Sequence, residues 1–149
     1  MKIKHQVVVF PDIHFPKEDE KAFSCALNVI KEVKPSAFLC LGDFAEGESV
    51  SHWKWKKRKR PPLEYQLPEI WEEVNYINSG LDRIDKVLKD VKCKKKIMAQ
   101  GNHELWFDNF VEENPFMSHL SSYEAFKIKE RGYEWHKYGK VFKLLGSKL

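Results

Sequence analysis

The chain has 149 residues, a formal charge of +4, 42% hydrophobic residues and 32% charged ones. That length and apolar fraction suit a single domain with one core, taken here as residues 1–149. The three cysteines, Cys25, Cys40 and Cys93, are far apart and form no C-x-x-C pair, which argues against a disulfide framework or a cysteine zinc site and fits a reducing cytoplasm. No apolar run approaches the roughly 20 residues of a membrane span, and the N-terminus lacks a signal-peptide stretch, so no membrane partner is expected.

In chain order, residues 6–10 (Gln-Val-Val-Val-Phe) form a β-branched run stopped by Pro11, the pattern of a buried parallel strand. Residues 18–33 place Ala22, Phe23, Ala26, Leu27, Ile30 and Val33 at helical spacing, with Pro35 just beyond. Residues 37–41 read as a second buried strand closed by Gly42, which makes a right-handed β-α-β unit. Residues 46–62 read as a polar, basic loop or insertion. From Ile70 to Val91 apolar residues step by three or four along a long helix, despite Gly80 near its middle. Residues 96–100 read as a third strand ending at Gly101. Helices are expected around 105–111 and 123–131, the second stopped by Gly132, with strand-like pieces at 133–138 and 141–145. The terminal Ser147-Lys148-Leu149 matches a peroxisomal address in letters only.

Three polar clusters follow the three strands directly: Asp12-Ile13-His14, Gly42-Asp43 and Gly101-Asn102-His103-Glu104. Strands of a parallel α/β sheet share one C-terminal edge, so the clusters should converge there. Asp12 and His14, two residues apart, offer a carboxylate oxygen and an imidazole nitrogen to one cation. Asp43 adds a carboxylate that could bridge two cations, and Asn102 adds a neutral carbonyl oxygen, which suits a mixed N/O metal site. Any one Asp, Asn or Gly after a strand is an ordinary turn or cap residue. Turn preferences do not account for three such clusters with compatible ligand chemistry at one sheet edge.

The order D-x-H, G-D, G-N-H-E resembles the first three motifs of the calcineurin-like metallophosphoesterases, over about residues 6–105. The resemblance implies an α/β fold, a partial αββα sandwich on a parallel β-α-β core. It implies hydrolysis of phosphate mono- or diesters by attack of a metal-activated hydroxide, with two divalent ions per complete site drawn from Mn, Fe, Zn or Mg. On the matching residues, Asp12 and His14 would bind the first metal, Asp43 would bridge both, Asn102 would bind the second, and His103 would be catalytic. Glu104 is expected to orient His103 by a hydrogen bond.

Family members continue with Gly-His and Gly-His-x-His motifs that add metal ligands, and neither occurs here. His119 and His136, the histidines after Glu104, do not follow a glycine and read as surface or packing residues. The expectation is a chain lacking the C-terminal part of the fold, with an incomplete second metal site and a tendency to self-associate or take a completing chain. The alternative is an impaired relative that binds metal or nucleic acid without turnover.

After the Asp43 loop, Trp53, Lys54, Trp55, Lys56, Lys57, Arg58, Lys59 and Arg60 set basic residues beside two indoles. Two readings stand: a nucleic-acid surface that neutralises phosphates and stacks bases, or a solvated basic loop with its tryptophans packed on the core. Trp106 and Phe110 have the spacing of an ordinary apolar helix face.

Overall fold

The computed structural model describes residues 6–144. Strands β1 (Val7–Phe10), β2 (Ala37–Cys40), β3 (Lys95–Ala99) and β4 (Glu134–His136) form one sheet in the order β1-β2-β3-β4, and every neighbouring pair is parallel. Parallel neighbours need crossovers, and with strands in sequence order the right-handed rule sends every crossover to one face. The connecting elements are α1 (Glu20–Val33), the short α2 (His52–Trp55), α3 (Leu63–Asp90), α4 (Asn102–Glu113), a 3₁₀ segment (Pro115–Leu120), α5 (Ser122–Ala125) and α6 (Ile128–Arg131).

The core agrees with that one-sided arrangement. Alternate strand residues Val8, Phe10, Phe38, Cys40 and Met98 join Phe23, Leu27 and Ile30 of α1, and Ile77, Leu81 and Ile84 of α3, in one buried cluster. Phe107 and Phe110 of α4 and Ile128 of α6 extend it. Each such side chain contributes about 1.5–3 kcal/mol on full burial. On the opposite face Leu39 and Ile97 are buried, whereas Val9 and Leu41 are 42% and 50% exposed.

Local signals explain most boundaries. Asp19 caps α1 by accepting from the amides of Lys21 and Ala22, both at 2.9 Å, and Lys34 stops the helix in a left-handed conformation. Four expectations need correction. The basic segment is not all loop, since Ser51 caps α2 by accepting from the Trp53 amide. The third G-N-H-E cluster lies inside α4, which begins at Asn102 and not near 105, because Glu104 reaches back and caps its own helix. The helix over 123–131 is two pieces, broken where Lys127 turns left-handed with φ 54°. Residues 141–144 are not a strand, and Leu145, like the terminal tripeptide, lies outside the described residues. Among the described residues no helix is long and apolar enough to cross a membrane.

The structure also accounts for Gly80. A Cβ there would stand 2.5 Å from the ring of Phe15, which is fully buried against Phe23 and directly follows His14. The absent side chain makes room for the ring that anchors the first loop. Helix propensity alone would make Gly80→Ala stabilising by about 1 kcal/mol. Overpacking against Phe15 should reverse the sign and destabilise by about 1–3 kcal/mol in urea unfolding. A gain in stability would contradict this packing.

Candidate metal centre

The chains leaving β1 and β2 stay paired beyond the sheet. Asp12 N donates to the Gly42 carbonyl (3.3 Å), His14 N to that of Asp43 (2.9 Å) and Phe15 N to that of Phe44 (2.8 Å); Glu46 N returns to the Phe15 carbonyl (2.9 Å). Phe15 and Ala45 still form a parallel bridge. The first two sequence clusters are therefore held side by side by backbone alone.

Glu104 ties the third cluster to them. Its Oε2 accepts from the amides of Asp43 (2.9 Å) and Gly101 (2.7 Å), and its Oε1 from that of Ala45 (2.8 Å). Burial pushes this carboxyl up to about 7, against the pull of those three amide bonds. The expected role of Glu104 is corrected here: both oxygens serve backbone amides, and none of the hydrogen bonds among the described residues joins it to His103. The two motif glycines make the approach possible. Gly42 has φ +96°, and a Cβ there would stand 2.5 Å from Gly101 N, while a Cβ on Gly101 would collide with Asp43 Oδ1.

At this junction Asp12, His14 and Asp43 each present a ligand atom, all within 4.8 Å of one another. All three have left-handed backbone, with φ 46°, 55° and 50°. The other non-glycine residues of that kind among the described ones, Lys34, Lys92 and Lys127, sit at or just beyond helix ends, where such backbone is an ordinary stop or start. Left-handed backbone in three donors costs roughly 1 kcal/mol or more apiece and marks a site over-determined by its surroundings. Asn102 opens α4 beside Gly101 and is exposed.

Glu46, which the motif reading does not include, sets both histidines. Its Oε2 meets His14 Nδ1 at 2.9 Å, and its backbone carbonyl meets His103 Nδ1 at 2.5 Å. A carboxylate and a carbonyl only accept, so each Nδ1 carries the proton and each neutral ring keeps its Nε2 lone pair free. Lys17 binds Oε1 of Glu46 at 2.9 Å. Partial burial works against the Glu46 charge, but Lys17 and then His14 outweigh it and hold the carboxyl below its usual value. The sequence signal for Glu46 was its place on the Asp43 loop, three residues after that candidate donor. His14, Glu46 and His103 also form a second group of potential donors, but both Nδ1 atoms and both Glu46 carboxylate oxygens in it are already hydrogen-bonded.

The remaining sequence candidates separate. His119 stacks on Trp71, and His136 bonds Glu134 and stacks on Phe142; neither belongs to either donor group. Phe107 and Phe110 are core, but half-buried Trp106 lies with its ring centroid 4.1 Å from that of His103. Neither Trp53 nor Trp55 packs on the core, and Trp53 is 66% exposed. Lys54 pairs with Glu69 and Arg60 with Glu113, while Lys56, Lys57, Arg58 and Lys59 are exposed.

A family model for calcineurin-like phosphoesterases matches residues 5–148, and the chain belongs to that family of metal-dependent phosphoester hydrolases. Comparison with curated proteins and with solved structures gave no match. The four-strand parallel sheet with its helices is consistent with part of the metallophosphoesterase fold. The family implies divalent metal ions, and the donors fit them: two carboxylates and one imidazole converge. None of the ion pairs among the described residues involves Asp12 or Asp43, so no Lys or Arg among those residues pairs with either carboxylate.

Glu104→Gln tests the junction. A glutamine offers one acceptor oxygen to amides that now use two, and at least one buried N–H is left without a partner. The variant should lose about 1–3 kcal/mol in urea unfolding and bind Mn²⁺ more weakly by calorimetry. Parent-like stability and affinity would show that Glu104 does not hold the clusters together.

Proposed function

We propose that the chain hydrolyses phosphate mono- or diesters at a divalent-metal centre held by Asp12, His14, Asp43 and Asn102, with His103 acting on the reacting ester. The observation that carries the reading is the convergence of the Asp12, His14 and Asp43 donor atoms within 4.8 Å, with the His103 ring 4.6 Å from that of His14. Mn, Fe and Zn suit a mixed carboxylate and imidazole set. When bound, the metal supplies Lewis-acid charge for phosphoryl oxygens and lowers the pKa of water.

The chain's own groups have separable tasks. His14, fixed by Glu46, presents Nε2 as a ligand. Asp43 accepts the His103 amide on Oδ1 at 3.0 Å, which leaves Oδ2 for a cation. His103 keeps Nδ1–H on the Glu46 carbonyl, so Nε2 is the atom that can accept a proton or, once protonated, give one to a leaving oxygen. The α4 N-terminus brings its positive dipole end to the same place and favours an anionic ester. Any coordination positions beyond these four residues would be filled by water, substrate or a partner chain.

A second reading, a relative that binds metal or nucleic acid without turnover, draws on the exposed Trp53 ring and the exposed Lys56, Lys57, Arg58 and Lys59 that follow it. Hydrolysis of bis-p-nitrophenyl phosphate and p-nitrophenyl phosphate with added Mn²⁺ or Zn²⁺ separates the two. On the enzyme reading, His103→Ala lowers turnover roughly 100-fold or more with bound metal unchanged by elemental analysis. Asn102→Ala should instead lower the metal stoichiometry. Equal metal loss in both variants would overturn the assigned roles, and no metal-dependent hydrolysis by the parent would favour the binding reading.

A further inference from the structure

The segment from Trp53 to Arg60 is not absorbed by the metal centre, and its surroundings give it a task. Six of the seven residues from Lys54 to Arg60 are basic. Glu69 and Glu113 neutralise Lys54 and Arg60, and none of the ion pairs among the described residues involves Lys56, Lys57, Arg58 or Lys59. Trp53 holds its ring 66% exposed, with Lys56 Nζ 4.6 Å from the ring centroid. His52, Trp53, Trp55, Lys56, Arg58 and Arg60 line one surface depression together with Glu113, which is already paired with His52 and Arg60. An indole left in water adds no burial energy to the fold, and beside this run of cations it offers a ring to a ligand.

The root of this segment is fixed. The buried Glu73 carboxylate of α3 accepts from the amides of Glu48 (3.1 Å) and Ser49 (2.9 Å). Arg60 closes the far end by donating to Glu113 (3.1 Å) and to the Val50 carbonyl (3.3 Å). Position relative to the metal centre is set by α4. His103 is the second residue of that helix and Glu113 the last, so at about 1.5 Å rise per residue the depression lies roughly 15 Å along it from His103. Trp106 lies between them, one turn from His103 and against its ring. At about 3.4 Å per stacked nucleotide, that distance is a few nucleotides.

We infer that the surface formed by Trp53 and the cations Lys56, Lys57, Arg58 and Lys59 docks single-stranded nucleic acid and leads it along α4 toward the His103 centre. The inference rests on the phosphoesterase reading for its direction, and on the surface alone for its binding. Phosphates take the cations, and a base stacks on the Trp53 face, an arrangement tolerant of sequence. A duplex keeps its bases inside and offers only the charge term. An anionic membrane would want an apolar helix face, and α2 has four residues with none of them buried.

The test uses fluorescence anisotropy of a labelled 12-nucleotide single strand, in EDTA, with the full chain. Binding there does not depend on catalysis, so the surface and the phosphoesterase reading fail separately. The parent should bind the single strand more tightly than its duplex. Trp53→Ala should weaken single-strand binding about five-fold or more. Replacing Lys56, Lys57, Arg58 and Lys59 together by Ala should flatten the slope of log affinity against log salt by about 3. Circular dichroism melting of both variants should match the parent, since these side chains are exposed. A parent that binds the strand but never hydrolyses bis-p-nitrophenyl phosphate keeps the docking surface and loses the enzyme. The inference is overturned if the parent does not bind the strand, if Trp53→Ala binds like the parent, or if duplex, heparin or anionic vesicles compete equally well.

Discussion

The Glu104 carboxylate is fully buried, and both of its oxygens accept amides that belong to two different strand connections. Burying a carboxyl this deeply is costly unless its hydrogen-bonding capacity is met, and here three backbone N–H groups meet it. Those amides have no other place in the sheet, since Asp43, Ala45 and Gly101 lie beyond the strand ends. The same contact therefore satisfies the loops, starts α4 and brings Asp43 under the His103 amide. The ladder between the first two loops adds Asp12 and His14. What converges at the sheet edge is a consequence of backbone hydrogen bonding before any ligand is considered.

That convergence was readable in the sequence to the extent that it follows from topology. Three buried strands with polar clusters after each, joined by helical crossovers, place the clusters on one edge, and the D-x-H, G-D, G-N-H-E order named the family. Other features were not readable because they depend on tertiary contacts. Glu104 beside His103 suggests a carboxylate and imidazole pair, yet the helix start turns the carboxylate inward to the amides. Glu46 looks like one acid among several on a polar loop, and only the pairing of the first two loops brings it to both histidines. Gly80 read as a weakness in α3, since the ring it accommodates lies 65 positions earlier, at Phe15. The helix expected over 123–131 is broken at Lys127, whose neighbours Phe126 and Ile128 are both buried in the core, a tertiary arrangement that the local sequence does not announce.

The site also illustrates how one residue can fix the electronic state of two rings. Glu46 uses its side chain on His14 and its main chain on His103, and both contacts place the ring proton on Nδ1. Two imidazoles that share an orienting residue can still differ in task, since His14 belongs to the carboxylate group with Asp12 and Asp43, and His103 is held from α4 against Trp106. The left-handed backbone at Asp12, His14 and Asp43 is sustained by the same network of hydrogen bonds between the loops.

The central claim is that His14 ligates the metal and His103 does not. Pulsed electron paramagnetic resonance of bound Mn²⁺ reads this directly, through the nitrogen modulation of a coordinated imidazole. The account predicts strong nitrogen modulation in the parent and in His103→Ala, and its loss in His14→Gln with Mn²⁺ still bound. Modulation that survives in His14→Gln, or that disappears in His103→Ala, would contradict it.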